Sequence, residues 1–160
     1  MQQMIEDGLY TGGPVKYGYH LSDSGLVNRK GIPIKKLDID AVESEVIHMM
    51  DSMTIHKGYG SHRLSRYLNE NGYRTHTGAR FTSTIVNRIL KDRFYCGYLD
   101  DGTSTEALQA LRIRSDETYA QILEILEQRN NANEEKRHIA LRTKGQAMLS
   151  GNIFCAHCGG

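Results

Sequence analysis

Two groups of side chains in this 160-residue chain have types and spacings suited to chemistry. The first is Cys155 and Cys158, a C-x-x-C pair followed by Gly159 and Gly160. Two thiolates at this spacing supply half of a tetrahedral zinc site, and the glycines allow the sharp turn that aims both sulfurs at one ion. Half a set should hold zinc weakly or not at all. His157, between the pair, is expected to be a non-ligand, and His138 is the only other histidine reasonably close in sequence. Cys96, the one remaining thiol, stands between Tyr95 and Gly97 and reads as a packed structural cysteine. The second group is cationic. Lys57, Arg63, Arg66, Arg74, Arg80, Arg88, Lys91 and Arg93 face only Glu70 and Asp92 over the same stretch, a local excess of six positive charges. The overall charge of +1 hides this, because the segment from Leu99 to Glu135 carries nine acids against three arginines. Exposed charges are screened beyond about 8–10 Å, so phosphate affinity follows the local field rather than the average.

An enzyme finds little support in the residues. Gly12-Gly13-Pro14 is not followed by the lysine and helix of a phosphate loop, no serine sits in a nucleophile elbow, and the seven histidines are scattered. No apolar run of about 18 residues exists to span a membrane, and Met1 to Gly13 lacks the apolar core of a secretory signal. A cytoplasmic location is therefore expected.

The elements that would position the cations follow from periodicity and turn chemistry. Glycines and prolines punctuate residues 1–36, and Tyr17 to Leu21 and Leu26 to Arg29 read as a hairpin joined by Ser22-Asp23-Ser24-Gly25. A first helix begins after Asp38 or Asp40, with Glu43 and Glu45 in its first turns. It buries Val42, Val46, Met49, Met50 and Met53 and ends at Gly58 and Gly60. A second starts with Ser61 as N-cap, turns Leu64, Tyr67 and Leu68 inward and Arg63, Arg66, Asn69 and Glu70 outward, and stops at Asn71-Gly72. Tyr73 to Phe81 suggests a tight hairpin or wing at Thr77-Gly78, presenting Arg74, His76 and Arg80. A third helix from Thr82 or Ser83 buries Ile85, Val86, Ile89 and Leu90 and leaves Ser83, Thr84, Asn87, Arg88 and Lys91 on its other side. A polar loop over Asp100 to Thr105 leads to a fourth helix, about Asp116 to Arg129, weakened by Asn130, Asn131 and Asn133, with a helical continuation over Glu134 to Leu141. The fold class is mainly α with small β-hairpins (α+β).

A helix fits the major groove of duplex DNA, and its exposed polar side chains reach base edges. Arg88 suits a bidentate contact to guanine and Asn87 one to adenine. Ser83, Thr84 and Lys91 suit phosphates, and Arg74, His76 and Arg80 would grip the backbone or a minor groove. Most surface helices also carry Asn, Arg and Lys outside, so the pattern alone leaves open a winged-helix and zinc-ribbon transcription regulator, or a protein-interaction module using the Tyr- and Met-rich faces.

The ordered motifs add a resemblance. Gly12-Gly13-Pro14-Val15-Lys16-Tyr17-Gly18-Tyr19 resembles the G-x-P-P-Y-G-Y opening of the recombinase domain of large serine recombinases, with Lys16 where a second proline is usual. Ser61 to Gly72 is similar to that family's S-x-R-x-I-A-x-x-L-N-x-x-G helix. Thr75 to Leu90 is similar to its T-P-x-G-x-x-W-x-x-S-T-V-x-x-I-L segment, with Phe81 in the aromatic position. Phe94 to Gly97 resembles its x-Y-x-G close, and Leu149 to Gly160 its L-S-G-L-x-x-C-x-x-C-G-G opening of a zinc ribbon. The resemblance implies residues 1–13 as the end of a linker from a catalytic domain N-terminal to Met1. It further implies 14–98 as a recombinase DNA-binding domain, 99–146 as an acidic connector, and 147–160 as the start of a zinc ribbon. It implies double-stranded DNA as partner, one half of a phage or mobile-element attachment site as target, and zinc as cofactor of the full-length protein. Self-association would run through catalytic and coiled-coil parts beyond this chain. The family's arginine-rich serine motif is absent, so these residues should not themselves cleave DNA.

Overall fold

A computed structural model describes residues 9–10, 12–99 and 102–137. The chain divides into one unit ending at Leu126 and a second from Glu127. The first contains a two-stranded antiparallel sheet, β1 (Tyr19–Val27) and β2 (Pro33–Ile39), then α1 (Ala41–Lys57), α2 (Ser61–Glu70), α3 (Ser83–Lys91), a 3₁₀ turn (Arg93–Cys96) and the short α4 (Glu106–Ala110). A long helix, α5 (Asp116–Arg137), follows. The architecture is mainly α with one small hairpin, as the periodicity predicts.

The hairpin forms with different strands from those expected. Ser22 to Gly25 lies inside β1 rather than in its turn. Tyr19 pairs with Ile39, Leu21 with Leu37 and Val27 with Pro33, and the register shifts between Asp23 and Val27. The turn is Asn28 to Ile32, because Asn28 organises it: its side-chain oxygen accepts from Lys30 N at 2.8 Å and Ile32 N at 3.0 Å. Gly31 takes the left-handed φ of +75° that such a turn requires. Gly25 spends its own positive φ on the irregularity in β1.

Helix α1 is capped by Asp40, whose carboxylate accepts from Glu43 N at 2.9 Å, and closes on Gly58 in the left-handed region. Asp38 instead stays in β2, hydrogen-bonded by Ser22. The buried face of α1 is Val46, Ile47, Met50 and Met53, while Val42 is 73% exposed. Val42 lies eight residues before Met50 and so about 80° round the helix from it. Helix α2 starts one residue earlier than expected: Gly60 is the cap, Ser61 the first helical residue, and no side chain caps the end. Leu64 and Leu68 on α2 and Val86, Ile89 and Leu90 on α3 close the core with Phe81, Phe94 and Tyr95. Cys96 is buried there too, and burial pushes its thiol pKa upward. The segment 73–81 turns tightly, with Gly78 N donating to Thr75 O and Thr75 N to Ala79 O, but no strand is formed on either side. In α5 the asparagines at 130, 131 and 133 do not interrupt the helix.

Candidate nucleic-acid interface

Helix α3 owes its orientation to three anchors. At its start, Thr82 accepts from Ile85 N at 3.2 Å, and the chain just before it is held by Asn69. The Asn69 amide donates to Phe81 O at 2.8 Å and its oxygen accepts from Phe81 N at 2.9 Å. The Phe81 ring is buried, edge-on to Tyr17 at 5.3 Å. Asn69 is thus a clamp between α2 and the approach to α3, not the outward residue its position on α2 suggests.

The far end of α3 is held by Arg114, from the short stretch between α4 and α5. Its guanidinium grips Asp51 of α1 through two bonds of 2.7 and 2.5 Å and donates to Leu90 O at 3.1 Å and Ile89 O at 3.4 Å. Arg114 is only 2% exposed. The last carbonyls of a helix have no partner of their own and carry partial negative charge, so a buried cation there both completes the hydrogen bonding and complements the dipole. Tyr119 of α5 adds a third link, its hydroxyl donating to Lys91 O at 2.9 Å.

Held this way, α3 turns Val86, Ile89 and Leu90 into the core and leaves Thr84, Arg88 and Lys91 exposed, with Asn87 half-buried beside them. Thr84, Asn87, Arg88 and Lys91 line one open groove of about 610 Å³, together with Lys16, Asp92, Arg93 and Tyr119. The Lys16 ammonium pairs with Asp92, so the acid in the groove is neutralised by a neighbour. Beyond that pair, three cations, Arg88, Lys91 and Arg93, border the strip that Asn87 faces.

The other residues read as DNA-binding lie apart from this groove. Ser83 is on α3 but half-buried. Arg80 is exposed beside α2, in a depression with His62, Ser65, Arg66, Asn69 and Glu70. Arg74 donates to Tyr73 O at 2.7 Å, and His76 meets Glu43 at 3.0 Å. The same Glu43 accepts from Gly18 N at 2.7 Å, which ties the root of the hairpin to α1. Sequence reasoning did not assign Lys16, Arg93 or Tyr119 to the groove. Lys16 carried a signal, as the point of departure from the family's opening motif; Arg93 was only one of the basic run, and Tyr119 only an apolar position of its helix. Cys155 and Cys158 lie outside the described residues, as do Asp100 and Asp101. Among the described residues no group of three or more histidine, cysteine or acidic side chains could hold a metal ion. Among them, too, no helix is long and apolar enough to cross a membrane.

Fold and groove together define a small helical module that presents one short cationic helix beside a hairpin. The sequence model of the Recombinase family matches residues 41–129, more than half of the chain, and the protein belongs to that family. Two solved structures share the fold. One, described as the crystal structure of an LSR–DNA complex, superposes with a TM-score of 0.57 at 20% identity, covering 98% of this chain and 45% of the other. The second, described by the sequence requirements of the Listeria innocua prophage attP site, gives a TM-score of 0.57 at 21% identity, covering 99% of this chain and 60% of the other. This chain therefore spans about half the length of the proteins it resembles in structure. No curated protein matches it by sequence.

Proposed function

We propose that this chain is the DNA-binding part of a site-specific serine recombinase of a phage or mobile element, and that it reads one half of an attachment site through α3. The observation that carries the proposal is the groove: Thr84, Asn87, Arg88 and Lys91 share one open strip, and Lys16 and Arg93 flank it. In this reading Asn87 and Arg88 face base edges in the major groove, where an amide pairs with adenine and a guanidinium with guanine. Lys16, Thr84, Lys91 and Arg93 take the flanking phosphates, which fix register without reading sequence. Arg80 and Arg74 contact backbone outside the groove. The strand-cleaving serine and the surfaces for self-association belong to parts of the parent outside this chain. Zinc on Cys155 and Cys158 belongs to the same proposal, on the donor chemistry of two thiolates alone.

The test is a binding-site selection followed by gel shifts. Arg88→Ala costs on the order of 1–3 kcal/mol at one or two preferred base pairs and leaves unrelated duplexes nearly unaffected. Lys91→Ala weakens all duplexes alike and lowers the salt slope by about 1. An Arg88→Ala variant that weakens every duplex equally refutes the placement of α3 in a groove, and a wild-type chain with no affinity for duplex at low salt refutes the function.

A further inference from the structure

The β1–β2 hairpin takes no part in the groove, yet its tip has the composition of a binding surface. Residues 25–33 are all exposed. Three of the four exposed large hydrophobic side chains among the described residues sit there: Leu26 at 53%, Val27 at 65% and Ile32 at 56%. The turn between them presents Arg29 and Lys30. From Ser24 to Leu37 the chain has four cations and no acid. Lys35 and Lys36 each have an acidic neighbour at 3.5 Å, Asp23 and Asp38, whereas Arg29 and Lys30 have none among the described residues.

The tip is built rather than slack. Asn28 accepts two backbone donors within the turn, Gly31 N donates to Asn28 O at 2.9 Å, and Ser24 donates to Ile34 O at 2.6 Å. Its root is fixed as well. Tyr19 is fully buried, with its hydroxyl donating to Leu111 O at 2.8 Å, and Tyr10 N donates to Lys35 O at 2.8 Å. A nine-residue strand rising ~3.3 Å per residue carries the tip up to about 30 Å from Tyr19. Lys16, three residues before Tyr19, lines the α3 groove. At ~3.4 Å per base pair, that reach corresponds to about nine base pairs of duplex.

We infer that the hairpin tip is a second contact to duplex DNA, with Arg29 and Lys30 on phosphates and Leu26, Val27 and Ile32 against the sugar edges of a groove. The inference rests on the reading of α3 as a duplex-binding helix and extends the footprint beyond it. Charge selects the partner, since an acid-free cationic tip complements a polyanion. Size agrees: a stable protein partner takes about 800 Å² from each side, more than nine residues at a turn present, whereas a two-stranded ribbon matches the ~12 Å width of the major groove. Phosphate and sugar contacts carry no base code, so the tip adds affinity without sequence preference.

The experiment uses the full chain and a duplex about four helical turns long that carries the preferred α3 site recovered by selection, read by fluorescence anisotropy across salt and by hydroxyl-radical footprinting. The Arg29→Ala/Lys30→Ala double variant lowers the salt slope by about 1.8, so the ratio of wild-type to variant affinity narrows about 12-fold between about 50 and about 200 mM salt. Its footprint loses the outermost protections and keeps those of α3. A Leu26→Ser/Val27→Ser/Ile32→Ser variant keeps the slope and binds more weakly at every salt concentration. All five positions are exposed, and circular dichroism identical to wild type confirms that the fold is kept. An unchanged slope in the cation variant, while Arg88→Ala still weakens binding, overturns the inference and leaves the α3 reading intact. Absence of binding by the wild-type chain overturns both. Unchanged DNA binding with loss of self-association in sedimentation makes the tip a protein contact and likewise overturns the inference.

Discussion

Substituting Asp51 tests the physical basis of the groove. Among the described residues the Asp51 carboxylate is the only counter-charge within hydrogen-bond reach of the buried Arg114 guanidinium, which it meets through two bonds. Asp51→Ala leaves that guanidinium facing two helix carbonyls and the Tyr95 ring, 5.6 Å away, with no anion. Breaking a buried pair on one side costs about 3–5 kcal/mol, a large share of the roughly 5–15 kcal/mol that holds a domain together. With a urea m-value of about 1.5 kcal/mol/M, the midpoint falls by about 2–3 M. The assay is urea unfolding followed by helical circular dichroism. Removing both charges, as in Asp51→Leu/Arg114→Met, relieves the unpaired ion but strips the donors from Ile89 O and Leu90 O, which costs about 1–3 kcal/mol. The double variant is therefore more stable than Asp51→Ala, and the single effects do not add. A loss below about 1 kcal/mol in Asp51→Ala, with additive single effects, refutes the assignment of this pair as the fastening of α3.

Two further predictions concern the hairpin. Gly18→Ala places a Cβ 2.6 Å from Ile47 Cδ1 at a φ of +95°, so it lowers stability by about 1–3 kcal/mol in the same unfolding assay, whereas Gly31→Ala in the open turn, with no atom near its Cβ, costs less. The Ser22 hydroxyl bond, with nearby Lys36, holds the Asp38 carboxyl below its usual pKa. A depressed native pKa contributes stability that is present above the unfolded value and is lost as pH falls through the native one. Ser22→Ala moves the Asp38 midpoint upward in an NMR titration, and an unmoved midpoint refutes the register that brings the two together.

Helices α1, α2 and α3 were legible because each pairs a 3.6-residue apolar period with a chemical start or stop: Asp40 and Gly58 for α1, Asn71-Gly72 for α2, Thr82 for α3. The groove face of α3 was legible for the same reason, since Val86, Ile89 and Leu90 fix which side points away. Misreadings arose where a local signal had two uses. Ser22 to Gly25 has the composition of a turn but serves a strand irregularity, and Asn28 to Gly31 competes better because one side chain satisfies two donors. Helix α4 is five residues long, too short for a period to show. The roles of Asn69, Arg114 and Lys16 depend on partners 12, 63 and 76 residues away, and no local pattern encodes such distances.

The fastening of α3 has a consequence for where this protein can change length. Ile113 N and Arg114 N both donate to Tyr95 O, and five residues after Arg114 the Tyr119 hydroxyl reaches Lys91 O. One inserted residue between Arg114 and Tyr119 would rotate everything downstream by about 100° and swing that hydroxyl off its carbonyl. The stretch 102–104 is bonded locally, Gly102 N and Thr103 O to Leu99 and Ser104 to Gly97 and Gln109, so lengthening there disturbs that loop before it reaches the cationic helix. Natural length variation in this family should accumulate at the second place and be missing from the first, which makes the short span from Arg114 to Tyr119 a fixed ruler.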